Sequence, residues 1–344
     1  MTQHATERSA GLAIKPAATS WSEPVAFALM AACLIVAPLV VYPVFLMKAL
    51  CFALFACAFN LLIGYVGLLS FGHALFFGWA GYLSAHLAKM GQLSFPYWAG
   101  GWQWLVIPLP PLPPELAILA GTAAGAGLGL IVGMLAIRRQ GIYFAMITLA
   151  LAQMMFFFAV QAPFTGGEDG IQAVPRGKLF GLIDLANQTN MYVTVLVIFL
   201  GCFLLIYRII NSPFGEVLKA IRENEARAVS LGYRTERYKL VAFVLSATFA
   251  GVAGATKALV FQLASLTDVD WPMSGEVILM TLVGGLGTLF GPVVGAFFMV
   301  TLENYLTTIG QWVFVVQGSI FVVCVLLFRR GIVGEIAYRL RVRL

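Results

Sequence analysis

Few residues of this 344-residue chain carry side chains that could do chemistry, and their spacing excludes most reactions. Of the three histidines, His4 is in the polar N-terminal stretch, while His73 and His86 have no carboxylate nearby in sequence. The five cysteines, Cys33, Cys51, Cys57, Cys202 and Cys324, fall in apolar runs and form no Cys-x-x-Cys pair. Neither a metal site nor a disulfide framework is indicated. Gly177-Lys178 is the only Gly-Lys pair; it has no glycine five residues earlier and no Ser/Thr after it, so it is not a phosphate-binding loop. Gly284-Gly285-Leu286-Gly287 follows no strand pattern and precedes an apolar run, which suits helix packing or a helix break better than a nucleotide. No nucleophile–base arrangement stands out. The chain is read as non-catalytic and as binding no cofactor. If its work consumes ATP, another subunit supplies the hydrolysis. Carboxylates are almost absent from the apolar runs, with Glu276 and Glu303 placed near run ends. Ion-coupled transporters commonly use ionisable residues inside the membrane, so this scarcity weighs against that energy source.

The elements that must position these residues are membrane helices. The chain is 61% hydrophobic and 10% charged, whereas ordinary globular domains carry about 25% charged residues. Apolar runs long enough to span hydrocarbon, roughly 20 residues each, recur along it. The fold expected is an all-α polytopic bundle of about ten spans with no soluble domain. The spans fall at about 25–43, 46–65, 68–89, 116–137, 141–161, 191–210, 239–262, 275–286, 289–305 and 311–328. Arg138 and Arg139, residues 208–239, and Arg329, Arg330, Arg339, Arg341 and Arg343 mark cytosolic ends. Segments 90–115 and 263–275 contain no Lys or Arg and suit the outside; in the first, Trp98, Trp102 and Trp104 suit an interfacial cap. An even number of crossings must separate 208–239 from the C-terminus, so the short run Gly275–Leu286 is expected to cross. A re-entrant loop there is the alternative. Both termini are then cytosolic: an N-terminal tail over 1–24, a transmembrane domain over 25–330 and a basic C-terminal tail over 331–344. The net charge of +6 resides in short loops, which points to membrane lipid and not to nucleic acid.

One polar segment interrupts this pattern. Residues 211–237 carry five Lys/Arg and four Glu between two apolar runs. Ser212 is a good N-cap with Pro213 at the first helical position. Phe214, Val217, Leu218, Ile221 and Ala228 form an apolar stripe, and Gly232 ends the helix as a C′ residue. A helix on the inner leaflet is one reading; the mixed charge favours a soluble protein partner.

Five segments resemble the permease subunits of ABC importers for branched-chain amino acids, specifically the LivM-like subunit. They are Asn60–Tyr82, Arg138–Gln153, Phe164–Ile171, Ser212–Ala255 and Gly284–Ala296, in the family's order. The run Glu225-Ala226-Arg227-Ala228 with Gly232 is similar to the importers' coupling motif, with the glycine one place late. The resemblance implies alternating access in a bacterial inner membrane. It implies two ABC ATPase subunits that bind the ATP, a second related permease as the other half of a heterodimer, and a periplasmic substrate-binding protein. It also implies a coupling helix within 212–232 that meets the ATPase through Pro213, Phe214, Val217, Leu218, Ile221, Glu225, Ala226, Arg227 and Gly232.

The remaining candidates have two readings each. Ser70, Gly72 and His73 line the pore or pack helices; Gly284, Gly285 and Gly287 shape a gate or pack helices. Glu168 and Asp169 dock the binding protein or are merely exposed. Lys257, near the outer end of its span, faces the pore or snorkels to the interface. Asn60 and Gln153 suit interhelical hydrogen bonds. The solute is branched-chain or similar amino acids, with urea, amides or other small solutes as the alternative. A stand-alone secondary transporter is the alternative of another class.

Overall fold

The computed structural model describes residues 22–89, 92–98, 102–108, 111–306, 313–327 and 331–340. The expected N-terminal tail lies outside the described residues up to residue 21, as do Arg329, Arg330, Arg341 and Arg343. The protein is predominantly helical, and a helix overlaps each expected span. These are α1 (Ser22–Val36), α2 (Pro43–Ile63), α3 (His73–Lys89), α4 (Pro114–Ala136), α5 (Ile142–Gln161), α6 (Gln188–Ile210), α9 (Thr235–Phe261), α10 (Trp271–Gly284), α11 (Gly291–Leu306) and α12 (Val313–Leu327). The polar segment between α6 and α9 contributes α7 (Pro213–Glu223) and α8 (Glu225–Ser230). Among the described residues, α2, α4, α5, α6 and α9 are long and apolar enough to cross a membrane.

α2 is the central helix, and nearly all of its residues from Leu46 to Leu62 are buried. Its Phe55 stacks on Phe77 of α3 with ring centroids 4.5 Å apart. Between lipid-embedded helices the apolar effect gives no net drive, so close packing must hold them. α4 solves this with small residues on one face. Ala117, Gly121, Gly125, Gly129, Gly133 and Ala136 are buried, while Leu119, Ile131 and Leu135 point outward. A Cβ on Gly125 would stand 3.0 Å from the Cα of Gly251 in α9, so the two backbones touch. A Cβ on Gly254 would stand 1.8 Å from the Phe77 carbonyl, which ties α9 to α3 in the same way.

One helix, α3, is shorter than its apolar run because non-helical chain carries the rest, whereas α10 begins four residues before its expected run. Before α3, residues 67–72 are not helical, although Leu68, Ser70 and Gly72 are buried. Their backbone is satisfied locally: Phe71 N donates to Thr148 Oγ1 (3.2 Å) and Gly72 N to Ser70 Oγ (3.3 Å). Irregular backbone at this depth is tolerated where protein surrounds it. Before α10, the turn Leu266–Asp268 packs against Gly78 of α3, where an added Cβ would meet Val269 Cγ2 at 2.4 Å. Gly78 is about 16 Å along α3 from its Lys89 end. Segment 263–275, expected as an outer loop, therefore descends beside α3 before α10 begins.

At the Lys89 end, the chain adds short strands. β1 (Gln92–Trp98) and β2 (Trp102–Pro108) form an antiparallel hairpin with Trp98 opposite Trp102. β3 (Ile171–Gln172) pairs with β6 (Leu263–Ala264), and β4 (Lys178–Leu179) with β5 (Ile183–Asp184). The opposite end carries α7, α8 and α13 (Gly331–Leu340). α13 is a packed helix where only a tail was expected: Val333 is buried, and a Cβ on Gly331 would stand 2.3 Å from Gly285 Cα.

Candidate coupling and gate site

The polar segment starts as its sequence suggests. Ser212 Oγ accepts from Gly215 N (3.4 Å), and Pro213 opens α7. Gly215 is obligatory because an added Cβ would overlap the Ile210 carbonyl at 2.1 Å. One helix over 212–232 was expected; the structure has two. Asn224 leaves the helical region (φ −157°, ψ 98°), and its Oδ1 accepts from Arg227 N (3.0 Å) to cap α8. Gly232 follows α8 at φ +89°, as the C′ position requires.

The expected coupling residues divide by exposure. Leu218 and Ile221 are buried against the bundle, as is Ala228 of α8, so they hold the segment in place. Phe214 and Val217 are half-buried, and Phe214 stacks on Tyr238 at 5.7 Å. Glu225 pairs with the buried Lys239 of α9 (2.5 Å). Pro213, Ala226, Arg227 and Gly232 are exposed, together with Val229, Leu231 and Tyr233. A cleft of about 490 Å³ opens beside them, lined by Arg138, Gln140, Glu225, Glu236 and Lys239 among others. The exposed end is open to solvent, while the buried side packs against the bundle and is tied to α9 through Glu225 and Lys239.

Arg222 makes the connection inward. Its Nη1 donates to the carbonyl of Gly64 at the end of α2. An added Cβ on Gly287 (φ +76°) would stand 3.0 Å from the same Nη1. The turn between α10 and α11 is in turn clamped by Asn60 of α2, whose Nδ2 donates to Thr288 O (2.9 Å) and whose Oδ1 accepts from Gly287 N (3.0 Å). Gly284 lies so close to Gly291 that a Cβ would stand 1.9 Å from its carbonyl. Gly284, Gly285 and Gly287 thus form one tight turn beside the polar segment, with α2 between them.

The other candidates lie elsewhere. His73 is fully buried; its Nε2 is 2.8 Å from Ser246 Oγ, which donates its own proton to Ala58 O (2.5 Å). His73 Nε2 therefore carries the proton, and Phe59, Phe76 and Phe243 surround the ring edge-on. Ser70 is buried, and Gly72 lies against the Thr148 carbonyl. Lys257 turns to neither headgroup nor open space: its Nζ is 2.5 Å from Asp268 Oδ2, with both side chains nearly buried. Glu168 and Asp169 are exposed on a turn at the β3 end, far in the chain's layout from α7 and α8.

A model of the family described as "Branched-chain amino acid transport system / permease component" matches residues 41–328. The chain belongs to this family. The permease is 25% identical over 297 residues to the high-affinity branched-chain amino acid transport system permease protein LivM of Salmonella typhimurium, covering 79% of this chain. It spans 65% of that relative's length. It is 29% identical to the ribose import permease protein RbsC of Bacillus subtilis, over 63% of this chain and 69% of that one. It is 26% identical to the xylose transport system permease protein XylH of Escherichia coli, over 48% and 44%. No solved structure matches it.

Sequence reasoning missed Arg222, Thr288 and Asp268, and also Asp270, which caps α10 through Trp271 N (2.8 Å) and stands 3.5 Å from Gln153 Nε2. Arg222 looked like one charge of an exposed helical face, and nothing in sequence links it to Gly64. Asp268 and Asp270 stood in what read as an outer loop. The absence of Lys and Arg around two aspartates was the available signal.

Proposed function

We propose that this permease is the membrane subunit of an ATP-driven importer for branched-chain or similar amino acids, with about ten crossings and both termini in the cytosol. The observation that supports this most is the α7–α8 segment, fastened by its apolar side to the bundle and beside the glycine turn, with a polar end left exposed. Two ABC ATPases grip Ala226, Arg227 and their exposed neighbours and hydrolyse ATP. A second permease completes the pathway, and a periplasmic binding protein docks at Glu168 and Asp169. Motion of the coupling segment shifts the bundle between inward and outward exposure, a rigid-body transition. The location is a bacterial inner membrane.

The test is co-purification with the ATPases and uptake in proteoliposomes, for the native chain and for Glu225→Ala with Arg227→Ala. The double variant is expected to lose ATPase binding and uptake. Retention of both would remove 212–232 from the coupling role. Uptake that persists without the ATPases would instead establish a stand-alone secondary transporter. A second reading of the solute, another small molecule such as a sugar, is favoured by the likeness to RbsC and XylH. Ligand binding by the partner periplasmic protein decides between them.

A further inference from the structure

Asp270 sits where a carboxylate is least expected. Gln153 is the twelfth residue of α5 (Ile142–Gln161), about 17 Å from its start, in a helix whose length of about 30 Å equals the hydrocarbon thickness. Gln153 Nε2 is 3.5 Å from Asp270 Oδ1, so Asp270 stands at half depth. A second contact gives the same depth independently. Ala74 N, at the start of α3, donates to Ser274 Oγ in the first turn of α10 (2.9 Å). Lys89, the other end of α3, bonds Gln172 O of β3 (2.6 Å), so α10 starts well below the strands.

Asp270 is not enclosed by its own chain. It is only partly buried, Gln153 is also partly exposed, and Trp271 beside them is 51% exposed. Among the described residues the carboxylate meets Gln153 and the first amide of its own helix, Trp271 N (2.8 Å), and no cation. The nearby lysines are committed elsewhere, Lys257 to Asp268 and Lys48 to Glu303. An ionised carboxylate at half depth is disfavoured against lipid and is found facing a bundle interior or a water-filled cavity. The face bearing Gln153, Asp270 and Trp271 therefore cannot be a lipid face.

We propose that Gln153, Asp270 and Trp271 line the aqueous route of the solute, and that the Asp270 carboxylate receives the solute's ammonium group. The inference rests on the import reading and deepens it. The break in the chain before α10 supplies the reason: the turn Leu266–Asp268 brings a carboxylate and an indole to half depth on a helix start, where a continuous helix would have carried apolar residues. An ammonium beside a carboxylate and over an indole face gains both charge pairing and cation–π attraction.

The test labels Trp271→Cys in the reconstituted complete transporter with membrane-impermeant thiosulfonates, against the parent chain, whose five cysteines set the background. Trp271→Cys is expected to react in at least one nucleotide state, and the cationic reagent to outpace the anionic one by about tenfold or more. Asp270→Asn should abolish that preference and lower kcat/KM for leucine uptake by a similar factor. Gln153→Cys carries the labelling if Trp271→Cys does not assemble. No reaction of either cysteine in any nucleotide state overturns the pathway assignment and means that lipid or the second permease covers this face. Reaction without cationic preference, or unchanged uptake in Asp270→Asn, overturns the ammonium assignment. Labelling needs neither hydrolysis nor uptake, so its failure is distinct from failure of the import reading, which shows as ATPases that do not co-purify.

Discussion

Lys257 and Asp268 form a pair with only 12% and 8% of their side chains exposed, so each charge depends on the other. Bringing two ions out of water costs several kcal/mol each, and the pairing offsets this only while both are present. Lys257→Met alone is expected to destabilise the protein by about 3–5 kcal/mol, because it leaves Asp268 uncompensated. Lys257→Met combined with Asp268→Leu should regain most of that loss, since no charge remains buried. Thermal unfolding in detergent reads both values, and a double variant no more stable than the single one would refute the account. The same pair shows what could not be read along the chain. Lys257 was visible as an isolated cation in an apolar run, but its partner is eleven residues on, beyond a turn that reads as surface. Only the descent of 265–270 beside α3 brings them together.

At the level of elements, helix type was legible and helix ends were not. Hydropathy marks buried chain without distinguishing a helix from an extended stretch at the same depth. The run 68–89 therefore read as one span, although its first five residues are not helical and are satisfied by Thr148 and Ser70. Asn224 is the reverse case, because its signal was present. An asparagine followed at once by Glu225 has the character of an N-cap with an acidic first turn, but it was absorbed into a longer amphipathic pattern. The consequence of the α7–α8 break is that Arg222, in the last turn of α7, points to Gly64 and Gly287 while Ala226 and Arg227 of α8 stay exposed. If this contact carries force from the coupling segment to the α10–α11 turn, Arg222→Ala should leave ATP hydrolysis by the complete transporter within about twofold while uptake per ATP falls by about fivefold or more, the range of ordinary coupling energies. Arg222→Lys, which keeps one donor, should recover part of the ratio. Hydrolysis and uptake declining in parallel would mean that Arg222 merely supports the fold.

For the whole molecule, the expected sides of the spans rest on loop charge, and the weakest step is whether the short run at 275–286 crosses. The structure supplies a physical reason that it can. α10 has only 14 residues, about 21 Å, but the turn before it begins beside β6 at one end of the bundle. At the other end Gly331 packs against Gly284 and Gly285, and the turn that follows is clamped by Asn60. Together α10 and the turn before it reach from one end of the bundle to the other, as a single longer helix would. α11 then returns toward the first end, where Glu303 pairs with Lys48 of α2 (2.9 Å). The C-terminal α13 packs beside Gly285, on the side that also carries α7 and α8. This arrangement makes a sharp prediction about sidedness. Ser230→Cys on α8 and Arg339→Cys on α13, both at exposed positions, should react with an impermeant maleimide only from the cytosolic face. Asp169→Cys, on the turn beside β3, should react only from the opposite face. If Ser230→Cys and Arg339→Cys label from different faces, α10 does not cross, and a re-entrant loop replaces the broken span. The expectation that both label from one face rests on the Gly331–Gly285 contact, which packs α13 against the turn that Asn60 and Arg222 hold beside α7.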